Sequence, residues 1–422
     1  MAERFQAPRG THDILPADQP VWFDTIVATI EELVRLYGYR RIQTPTFEDT
    51  DLFQRTSGSG SDVVQKEMYT FTDRSDRSLT LRPEGTAPVC RAYVEHGMHR
   101  EPQPVKLYTF APMFRYAAPQ KGRYREHWQL SLEAIGSADP AIDAEVIQLY
   151  RRLLDELGIT DFRLELNSIG DSACRPAYIE RLNAWLDANV DRLDAEAREK
   201  RSTNPLRVFD VKTPFVREAL KDAPKIGDSL CDECREHFAG VRAYLDAYGV
   251  EYELEPTLVR GLDYYTRTTW EFVGLEGGAQ STLSGGGRYD RLVDQIGGPP
   301  TPGIGFGAGL ERLREAYREA REPAASFDPG RRAAQVFFVV EDAASRARVL
   351  AQMMALRDRG VVCDADYAGR SLKGQMTQAG RSGAPVLVIA GHDAVRIRRP
   401  GRDDEPVELE RVAELLGDTL SS

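Results

Sequence analysis

The 422-residue chain lacks the features that mark secreted and membrane proteins. Its five cysteines are too few and too scattered for a disulfide framework, and no run of about 18 apolar residues could cross a membrane. The N-terminal sequence MAERFQAPRG has neither an apolar signal core nor a small-residue cleavage site. A hydrophobic content of 41% is ordinary for a globular protein that folds without disulfides. We therefore expect a cytoplasmic protein with no membrane association.

Short motifs of several enzyme classes are also missing. The sequence contains no Walker-A motif, kinase catalytic loop, G-x-S-x-G or HExxH. Residues 303–308 match G-x-G-x-x-A, but no strand is predicted before them and no βαβ unit with an acidic residue after them, which argues against a Rossmann site. We expect these glycines to let the backbone approach a ligand closely. The helix that follows would then carry Arg312 inward from its first turn.

The five cysteines, Cys90, Cys174, Cys231, Cys234 and Cys363, offer one metal-like spacing, in CDECREH. Cys231, Cys234 and His237 could supply three zinc ligands, with the distant Cys174 as a conceivable fourth. The alternative is a turn that leads into an amphipathic helix from His237 to Tyr248. Because a single CxxC without a second pair is a weak metal signal, we favour the turn and expect no metal there.

Residues 113–133, MFRYAAPQKGRYREHWQLSLE, combine a cationic loop with an alternating strand. Four cations, Arg115, Lys121, Arg123 and Arg125, fall within eleven positions of a chain whose net charge is -11. Beyond them apolar and polar residues alternate with period two, so Gln129 and Glu133 share one face of a strand. Such an arrangement could bind a polyphosphate beside a cationic amine, whereas the alternative is a charged hairpin tip.

Two further segments combine charged and aromatic residues. In TLRPEGTAP, Glu84 and Thr86 stand at a turn before a helix, where they could hold an ammonium group or simply cap the helix. In LVRGLDYYTRT, Arg260 precedes Tyr264 and Tyr265, which could contact a polar ring or pack at a sheet edge. The residues alone leave both alternatives open.

The pattern of apolar residues and turns predicts the domain organisation. Capped helices are expected at 18–37 and at 139–157, with strands between them that form an antiparallel sheet. We predict a domain at 1–325 that is interrupted by a helical insertion at 171–250. A linker at 326–332 would lead to an α/β domain with a mostly parallel sheet at 333–422.

Taken together, five ordered segments resemble the histidyl-tRNA synthetases, a family of class II aminoacyl-tRNA synthetases. The segments are LRPEGT, MFRY with PQKGRYRE, LVRGLDYYTRT, SGGGRYD and GFGAGLERL, and the resemblance covers nearly the whole chain. It implies an α+β fold, with an antiparallel sheet flanked by helices, a helical insertion and a C-terminal α/β anticodon-binding domain. It also implies a homodimer whose interface includes residues of about 18–48.

The resemblance implies that histidine attacks the α-phosphate of ATP to give histidyl-adenylate and pyrophosphate, and that histidine then passes to the 3′ end of tRNA(His). The implied catalytic residues are Arg115 and Arg260, both at the α-phosphate. Arg123 and Arg312 would hold the γ-phosphate, and Mg²⁺ would assist. His127 stands where the family usually has an aromatic ring, so it is expected to stack on adenine.

The implied histidine-binding residues form a second set. Glu84, Thr86 and Gln129 would hold the amino group, Glu133 and Tyr265 would contact the imidazole, and Arg260, Tyr264 and Tyr289 would complete the pocket. The implied tRNA contacts are Gln120, Arg370, Lys373, Gln375 and Arg381, although each could equally be a solvated surface residue. Ala117 and Ala118 replace a charged pair found in many members of the family.

Two other functions remain open alternatives at this point. A non-catalytic regulatory relative, which binds an ATP phosphoribosyltransferase, would typically lack the C-terminal domain and have a degraded RGLDYY segment. An ATP-dependent ligase that acts on a small acceptor would not need an anticodon-binding domain. The intact RGLDYY segment and the α/β tail argue against both.

Overall fold

The computed structural model describes residues 4–58, 61, 63–118, 122–275, 282–321, 334–342, 344–391 and 394–420. The chain divides into two compact units, Met1–Ile14 with Val21–Ala324 and Leu15–Pro20 with Ala325–Ser422. Each unit has a hydrophobic core of its own, and the two are described separately. The linker predicted at 326–332 lies outside the described residues.

Eleven strands are described in the first unit. In chain order they are β1 (Arg40–Arg41), β2 (Phe47–Asp49), β3 (Tyr69–Thr72), β4 (Ser78–Leu81), β5 (Val105–Phe114), β6 (Glu126–Ile135), β7 (Phe162–Ser168), β8 (Glu253–Leu254), β9 (Thr266–Gly274), β10 (Thr282–Arg288) and β11 (Gly303–Gly309). Eight of them form one sheet in the order β1-β5-β6-β11-β10-β9-β7-β8, and the others form a small sheet, β2-β4-β3. Only the edge pairs β1–β5 and β7–β8 of the large sheet are parallel in the described residues. The predicted antiparallel sheet is confirmed.

Ten α-helices are described in the same unit. They are α1 (Ala28–Leu36), α2 (Thr50–Ser57), α3 (Thr86–Glu95), α4 (Pro140–Glu156), α5 (Arg175–Ala188), α6 (Ala195–Thr203), α7 (Pro214–Leu220), α8 (Asp232–Ala247), α9 (Leu292–Gln295) and α10 (Leu310–Ala320). The helix predicted at 139–157 is confirmed, because Asp139 caps it through a 2.9 Å bond from the Ala141 N–H and Gly158 follows it with φ +72°. The helix predicted at 18–37 begins differently. Asp18 bonds the Leu15 N–H within a 3₁₀ turn, and a π-helix over Pro20–Val27 precedes α1.

Helices α5 to α8 all fall within the segment 171–250 and surround a small core of their own. Tyr178, Leu182, Val208 and Cys234 are at most 1% exposed within it. The segment rejoins the sheet at β8, beside β7. This helical block therefore buries its own apolar residues and returns to the sheet at the edge next to β7.

The second unit contains five described strands and three α-helices. They are β12 (Val336–Val340), α11 (Arg346–Asp358), β13 (Cys363–Ala365), α12 (Leu372–Ser382), β14 (Val386–Ala390), β15 (Val395–Arg398), β16 (Glu405–Val407) and α13 (Val412–Leu420). The strands follow the order β13-β12-β14-β15-β16, with the first three parallel and the last two antiparallel. The parallel part is as predicted, and the antiparallel hairpin at the other edge is additional.

Candidate active site

A cavity of 250 Å³ lies against the large sheet of the first unit. Ten of the twelve residues expected to bind ATP or histidine line it: Glu84, Thr86, Arg115, Arg123, His127, Gln129, Arg260, Tyr264, Tyr265 and Arg312. The other two, Glu133 and Tyr289, lie directly behind Thr86 through a chain of hydrogen bonds. The structure therefore brings together residues as far apart in the sequence as Glu84 and Arg312.

Glu84 stands in the turn between β4 and α3. Its two carboxylate oxygens accept the backbone N–H groups of Thr86 at 2.7 Å and Ala87 at 3.0 Å, so it does cap the helix. Buried Arg82 fixes the same turn by donating to the carbonyls of Pro112 and Thr44, both at 2.9 Å. Burial raises the pKa of Glu84. Capping and ligand binding are compatible, because a carboxylate oxygen can accept more than one hydrogen bond and Glu84 also lines the cavity.

Glu133 is fully buried beneath the cavity floor. It accepts the Thr86 hydroxyl at 2.7 Å and the Tyr289 hydroxyl at 2.5 Å. Burial raises the pKa of Glu133 to about 8, although both hydroxyl bonds favour the ionised form. The carboxyl group is therefore protonated near neutral pH in the ligand-free protein, and a cationic or hydrogen-bonding ligand would shift that balance.

Glycines of β11 make room for this end of the site. Gly305 pairs with Glu133 across the sheet, and a Cβ atom there would overlap the Glu133 carboxylate. A Cβ atom at Gly307 would lie 2.8 Å from the amide nitrogen of Gln129. The glycine run that matched the dinucleotide fingerprint is thus a strand, and its lack of side chains lets two polar side chains of β6 lie over it.

Three arginines form the opposite end of the cavity. Arg115 donates to the carbonyl of Pro83 at 2.7 Å, and Arg123 pairs with Glu67 at 2.5 Å. Arg312, in the first turn of α10 as predicted, donates to the carbonyls of Gly122 at 3.0 Å and Thr282 at 2.7 Å. Burial lowers the pKa of Arg312, and repulsion by Arg115 and Arg123 lowers it further. An anion placed among these guanidinium groups would relieve that repulsion.

His127 lies on β6 between the two ends. Burial lowers the pKa of His127 to about 3, and repulsion by Arg115 and Arg312 acts in the same direction. The ring is therefore neutral at physiological pH. Its neighbour Trp128 points elsewhere and stacks on Phe110, with ring centroids 4.7 Å apart. Of the two adjacent rings, His127 is thus the one that lines the cavity.

Arg260 approaches from the loop before β9. It pairs with Glu271 of β9, and its guanidinium lies 5.9 Å from the centroid of the Tyr265 ring. A Cβ atom at Gly285 would lie within overlap distance of the same guanidinium, so β10 also uses a glycine to leave space. Glu271 was not anticipated from the sequence, because nothing local connects it with Arg260.

Glu311 is a second residue that the sequence reasoning missed. It lines the cavity beside Arg312, is 1% exposed, and accepts the Trp128 N–H at 3.0 Å through one oxygen. The other oxygen is buried without a hydrogen-bond partner among the described residues. Burial raises the pKa of Glu311 to about 7. Its position next to an arginine expected to bind phosphate, in GLERL, was the one available signal.

The residues expected to contact tRNA lie in the second unit, apart from Gln120, which is outside the described residues. Arg370, Lys373 and Arg381 are exposed on or beside α12. The prediction that Gln375 contacts tRNA is wrong. Its side chain is buried, with 7% of the residue exposed, and its amide bonds the N–H and C=O of Val340 at 2.8 and 2.9 Å. It ties α12 to β12, and backbone groups occupy its amide, so it is not a surface contact for a nucleotide.

The structure also changes the set of possible zinc ligands. His237 bonds Asp143 at 2.9 Å, on the side of α8 that packs against α4, and is therefore removed from the set. Cys231 and Cys234 instead lie beside Cys174 and Asp171, with one potential ligand atom of each residue within 4.8 Å of the others. The sequence showed the CxxC but not the partner pair.

Comparison with known proteins decides the family. The family model described as histidyl-tRNA synthetase matches residues 10–313. The chain belongs to the histidyl-tRNA synthetase family. A histidine–tRNA ligase of Desulforudis audaxviator is 48% identical over 387 residues, which cover 92% of this chain and 90% of that protein. A histidine–tRNA ligase of Anaeromyxobacter dehalogenans is 45% identical over 411 residues, or 96% and 97% of the two chains.

Solved structures of the histidyl-tRNA synthetase family agree in fold. The crystal structure of apo Staphylococcus aureus histidyl-tRNA synthetase has a TM-score of 0.78 and 36% identity, and the match covers 98% of this chain and all of the other. A Bacillus halodurans protein described as an ATP phosphoribosyltransferase regulatory subunit/histidyl-tRNA synthetase has a TM-score of 0.63 at 22% identity, which supports the fold alone. Among the described residues, no helix combines the length and apolar character that a membrane span requires.

Proposed function

We propose that this chain activates L-histidine with ATP to give histidyl-adenylate and pyrophosphate, and then transfers histidine to the 3′ end of tRNA(His). The observation that carries the proposal is one cavity that has Glu84 in its wall, with the Glu133 carboxyl group hydrogen-bonded behind Thr86, and that also contains the guanidinium groups of three arginines. An amino acid with a cationic ammonium group fits beside the carboxyl groups, and a triphosphate fits beside the arginines. Family membership supports the same assignment.

Activation requires stabilisation of negative charge rather than a general base. The histidine carboxylate is already ionised and attacks the α-phosphorus, while pyrophosphate leaves with the bonding electrons. Arg115 and Arg260 would contact the α-phosphate from two sides, and Arg123 and Arg312 would hold the γ-phosphate. Such fixed cations stabilise the charge that develops on the phosphoryl oxygens in the transition state.

The residues at the acidic end select histidine. Glu84, Thr86 and Gln129 would hold its ammonium group, and Glu133 and Tyr265 would bind the imidazole, with Tyr264 and Tyr289 around them. Glu133 is buried, so a side chain that lacks ring nitrogens would leave a polar group without its partner. A site of this kind can reject such an isostere by about 10⁴- to 10⁵-fold.

Adenine would stack on the neutral ring of His127, which lines the cavity. Glu311 fits a Mg²⁺ ion, because one of its oxygens is buried in the cavity wall and has no hydrogen-bond partner in the part of the chain that the structure describes. Bound Mg²⁺ would neutralise charge on the phosphates, and the Glu311 carboxylate would help to hold it. Arg370, Lys373 and Arg381 would contact the tRNA phosphates and bases.

We also propose a homodimer whose interface includes residues of about 18–48 and the small sheet. Phe47 on β2 and Phe71 on β3 remain 48% and 42% exposed, with ring centroids 6.0 Å apart. Paired exposed aromatic rings are typical of the apolar centre of an interface. Light scattering should give twice the chain mass, and Phe47→Asp should shift it towards the monomer. The cytoplasmic location stays a prediction.

Pyrophosphate exchange tests the main proposal. Purified protein with ATP and Mg²⁺ should exchange labelled pyrophosphate into ATP only when histidine is added, and should then charge tRNA(His). Absence of histidine-dependent exchange would contradict the proposal and favour a regulatory role. Exchange that occurs without subsequent charging would limit the activity to adenylate formation.

A further inference from the structure

A cluster of three cysteines and one aspartate lies at the base of the helical insertion. Asp171 and Cys174 belong to the sequence DSAC, and Cys231 and Cys234 to CDEC, so each pair has the two-residue spacing found in structural zinc sites. One potential ligand atom from each residue lies within 4.8 Å of the others. The second pair that the sequence appeared to lack is thus present, with an aspartate in place of one cysteine.

The distance between two of the sulfur atoms fits a shared metal ion. The Cys174 and Cys234 sulfurs are 3.9 Å apart. Two thiolates bound at about 2.3 Å to one tetrahedral Zn²⁺ ion are about 3.8 Å apart. A disulfide requires about 2.05 Å, so the two sulfurs are placed as ligands rather than as a cross-link.

The backbone around the cluster supports thiolate ligands. Cys174 is the N-cap residue of α5, Cys231 is that of α8, and Cys234 lies in the first turn of α8. Helix N-termini stabilise thiolates, which are the form that binds metal. The Asp171 N–H also points at the Cys174 sulfur, at 3.3 Å. Both Cys174 and Cys234 are buried, at 6% and 0% exposed.

Gly170 is needed at the edge of the cluster. It has φ +62°, and a Cβ atom there would lie 2.5 Å from the Cys174 sulfur. Three thiolates and a carboxylate around one Zn²⁺ would carry a net charge of about −2. Arg267 offsets part of this charge, since it pairs with Asp171 at 3.3 Å. The surroundings therefore suit a negatively charged metal centre.

We propose that Asp171, Cys174, Cys231 and Cys234 bind one structural Zn²⁺ ion that joins α5 and α8 at the base of the insertion. Thiolates favour Zn²⁺, Cu⁺ and iron–sulfur clusters, and the carboxylate ligand selects Zn²⁺ among these. Four protein ligands close the coordination shell, so the ion has a structural rather than a catalytic role.

The same site is connected to the loop that carries the tyrosines of the cavity. Arg175, adjacent to Cys174, donates to the carbonyl of Tyr265 at 2.8 Å. Backbone bonds between Arg267 and Gly170 at 2.7 Å, and between Ile169 and Arg267 at 2.8 Å, hold the two segments together. Zinc would therefore also position Tyr265, and this last step rests on the proposed function.

Zinc content and cobalt spectroscopy test the proposal on the full chain, purified under reducing conditions from zinc-supplemented cells. We expect about one zinc per chain by mass spectrometry of the metal, and a tetrahedral thiolate spectrum after replacement by Co²⁺. Cys231→Ser and Asp171→Asn should lose most of the zinc, whereas Cys363→Ser, a buried cysteine of the second unit, should keep it. Asp171→Asn removes no thiol, so it still tests zinc binding if Cys231→Ser folds poorly.

Three results would overturn the zinc site: no zinc bound even after titration of the reduced wild-type chain, full zinc retained by both variants, or a Cys174–Cys234 disulfide in the purified protein. The link to Tyr265 predicts a higher KM for histidine in Asp171→Asn, with little change in the KM for ATP. Zinc content is measured independently of aminoacylation. Zinc present without histidine-dependent exchange would therefore contradict the proposed function alone. Histidine-dependent exchange by a chain that binds no zinc would contradict the zinc site alone.

Discussion

At one end of the cavity Glu84 and Glu133 are 3% and 0% exposed, and all four of their carboxylate oxygens already accept hydrogen bonds. At the other end, Arg123 has a side chain that is 39% exposed, and Arg115, Arg123 and Arg312 repel one another. The acidic end is thus assembled before any ligand arrives. The basic end has its charges in position but lacks the anion that would stabilise them.

This difference has a physical reason. A small amino acid that must be distinguished from its isosteres requires fixed, desolvated partners, because discrimination comes from polar groups that a wrong ligand leaves unpaired. A triphosphate is common to all reactions of this kind, and its negative charge offsets the repulsion among arginines that are already in position. We therefore expect substitutions at the basic end to affect mainly the rate, and those at the acidic end to affect histidine recognition and stability.

Arg115→Ala should have the largest effect. Loss of a cation at the α-phosphate should reduce kcat for histidine-dependent pyrophosphate exchange by about 10²- to 10³-fold, as for a lost oxyanion donor. The KM for histidine should change less than kcat, because Arg115 reaches the acidic end only through its bond to the Pro83 carbonyl and its charge near Glu84. Steady-state kinetics would measure both. Arg77→Ala, an exposed arginine paired with Asp73 outside the cavity, is the control, and an equal loss in that variant would contradict the assignment.

Gly305→Ala should damage the acidic end selectively. The added methyl group would overlap the Glu133 carboxylate, and overpacking of this kind typically costs about 1–3 kcal/mol. We expect a lower free energy of unfolding in urea and a raised KM for histidine. Gly380→Ala on α12 is the control, since Gly380 is exposed, does not line the cavity, and a Cβ atom there meets none of the described atoms within 4 Å. Equal behaviour of the two variants would show that the space above β11 is not required.

The pH dependence of stability should distinguish the two ends further. Because burial raises the pKa of Glu133 to about 8, the folded protein holds a proton that the unfolded chain releases near pH 4.5. The stabilisation of the folded state by this proton is therefore fully present below pH 4.5 and is lost as the pH rises to about 8. The free energy of unfolding of the ligand-free protein should fall over this range more steeply than that of Glu133→Gln. If urea titrations show that the free energies of unfolding of the wild type and of Glu133→Gln change in parallel with pH, the pKa of Glu133 is not raised.

His127→Phe should have the smallest effect. The imidazole is neutral, with a pKa of about 3, so a phenyl ring can replace it as a stacking surface. We expect the KM for ATP to change by less than about threefold, whereas His127→Ala should lose about 0.5–1.5 kcal/mol of binding. Measurement of the KM for ATP in the two variants is sufficient. A phenyl variant as impaired as the alanine variant would mean that a ring nitrogen, rather than stacking, contacts the ligand.

Much of the local structure was predictable from short sequence patterns. Asp139-Pro140 and Gly158 delimited α4, and alternation after Glu126 predicted β6, because caps and side-chain periodicity act over a few residues. The family motifs likewise placed ten predicted residues around one cavity. The π-helical start at Pro20–Val27 was not predictable, since the same residues also satisfy an α-helical pattern.

The partners of the site residues were not predictable in the same way. No local pattern shows that Glu271 lies beside Arg260, that Glu311 binds the Trp128 N–H, or that Asp171 lies near Cys234. The predicted roles of Gln375 at tRNA and of His237 at zinc were wrong for the same reason. The sequence pattern around a polar residue on a helix is the same whether its side chain contacts a backbone group, an aspartate or a ligand. Only the packing of elements distant in the sequence distinguishes these cases.

The sequence by itself determined the elements, the family and the identity of most residues around the cavity, because periodicity, caps and ordered motifs are properties of short segments. The tertiary structure decided which groups face one another: the register that sets Gly305 opposite Glu133, the repulsion among three arginines, and the meeting of two distant pairs at Cys174 and Cys234. These features depend on distances of a few ångströms between segments far apart in the chain. Such distances are fixed by long-range packing, and no local pattern encodes them.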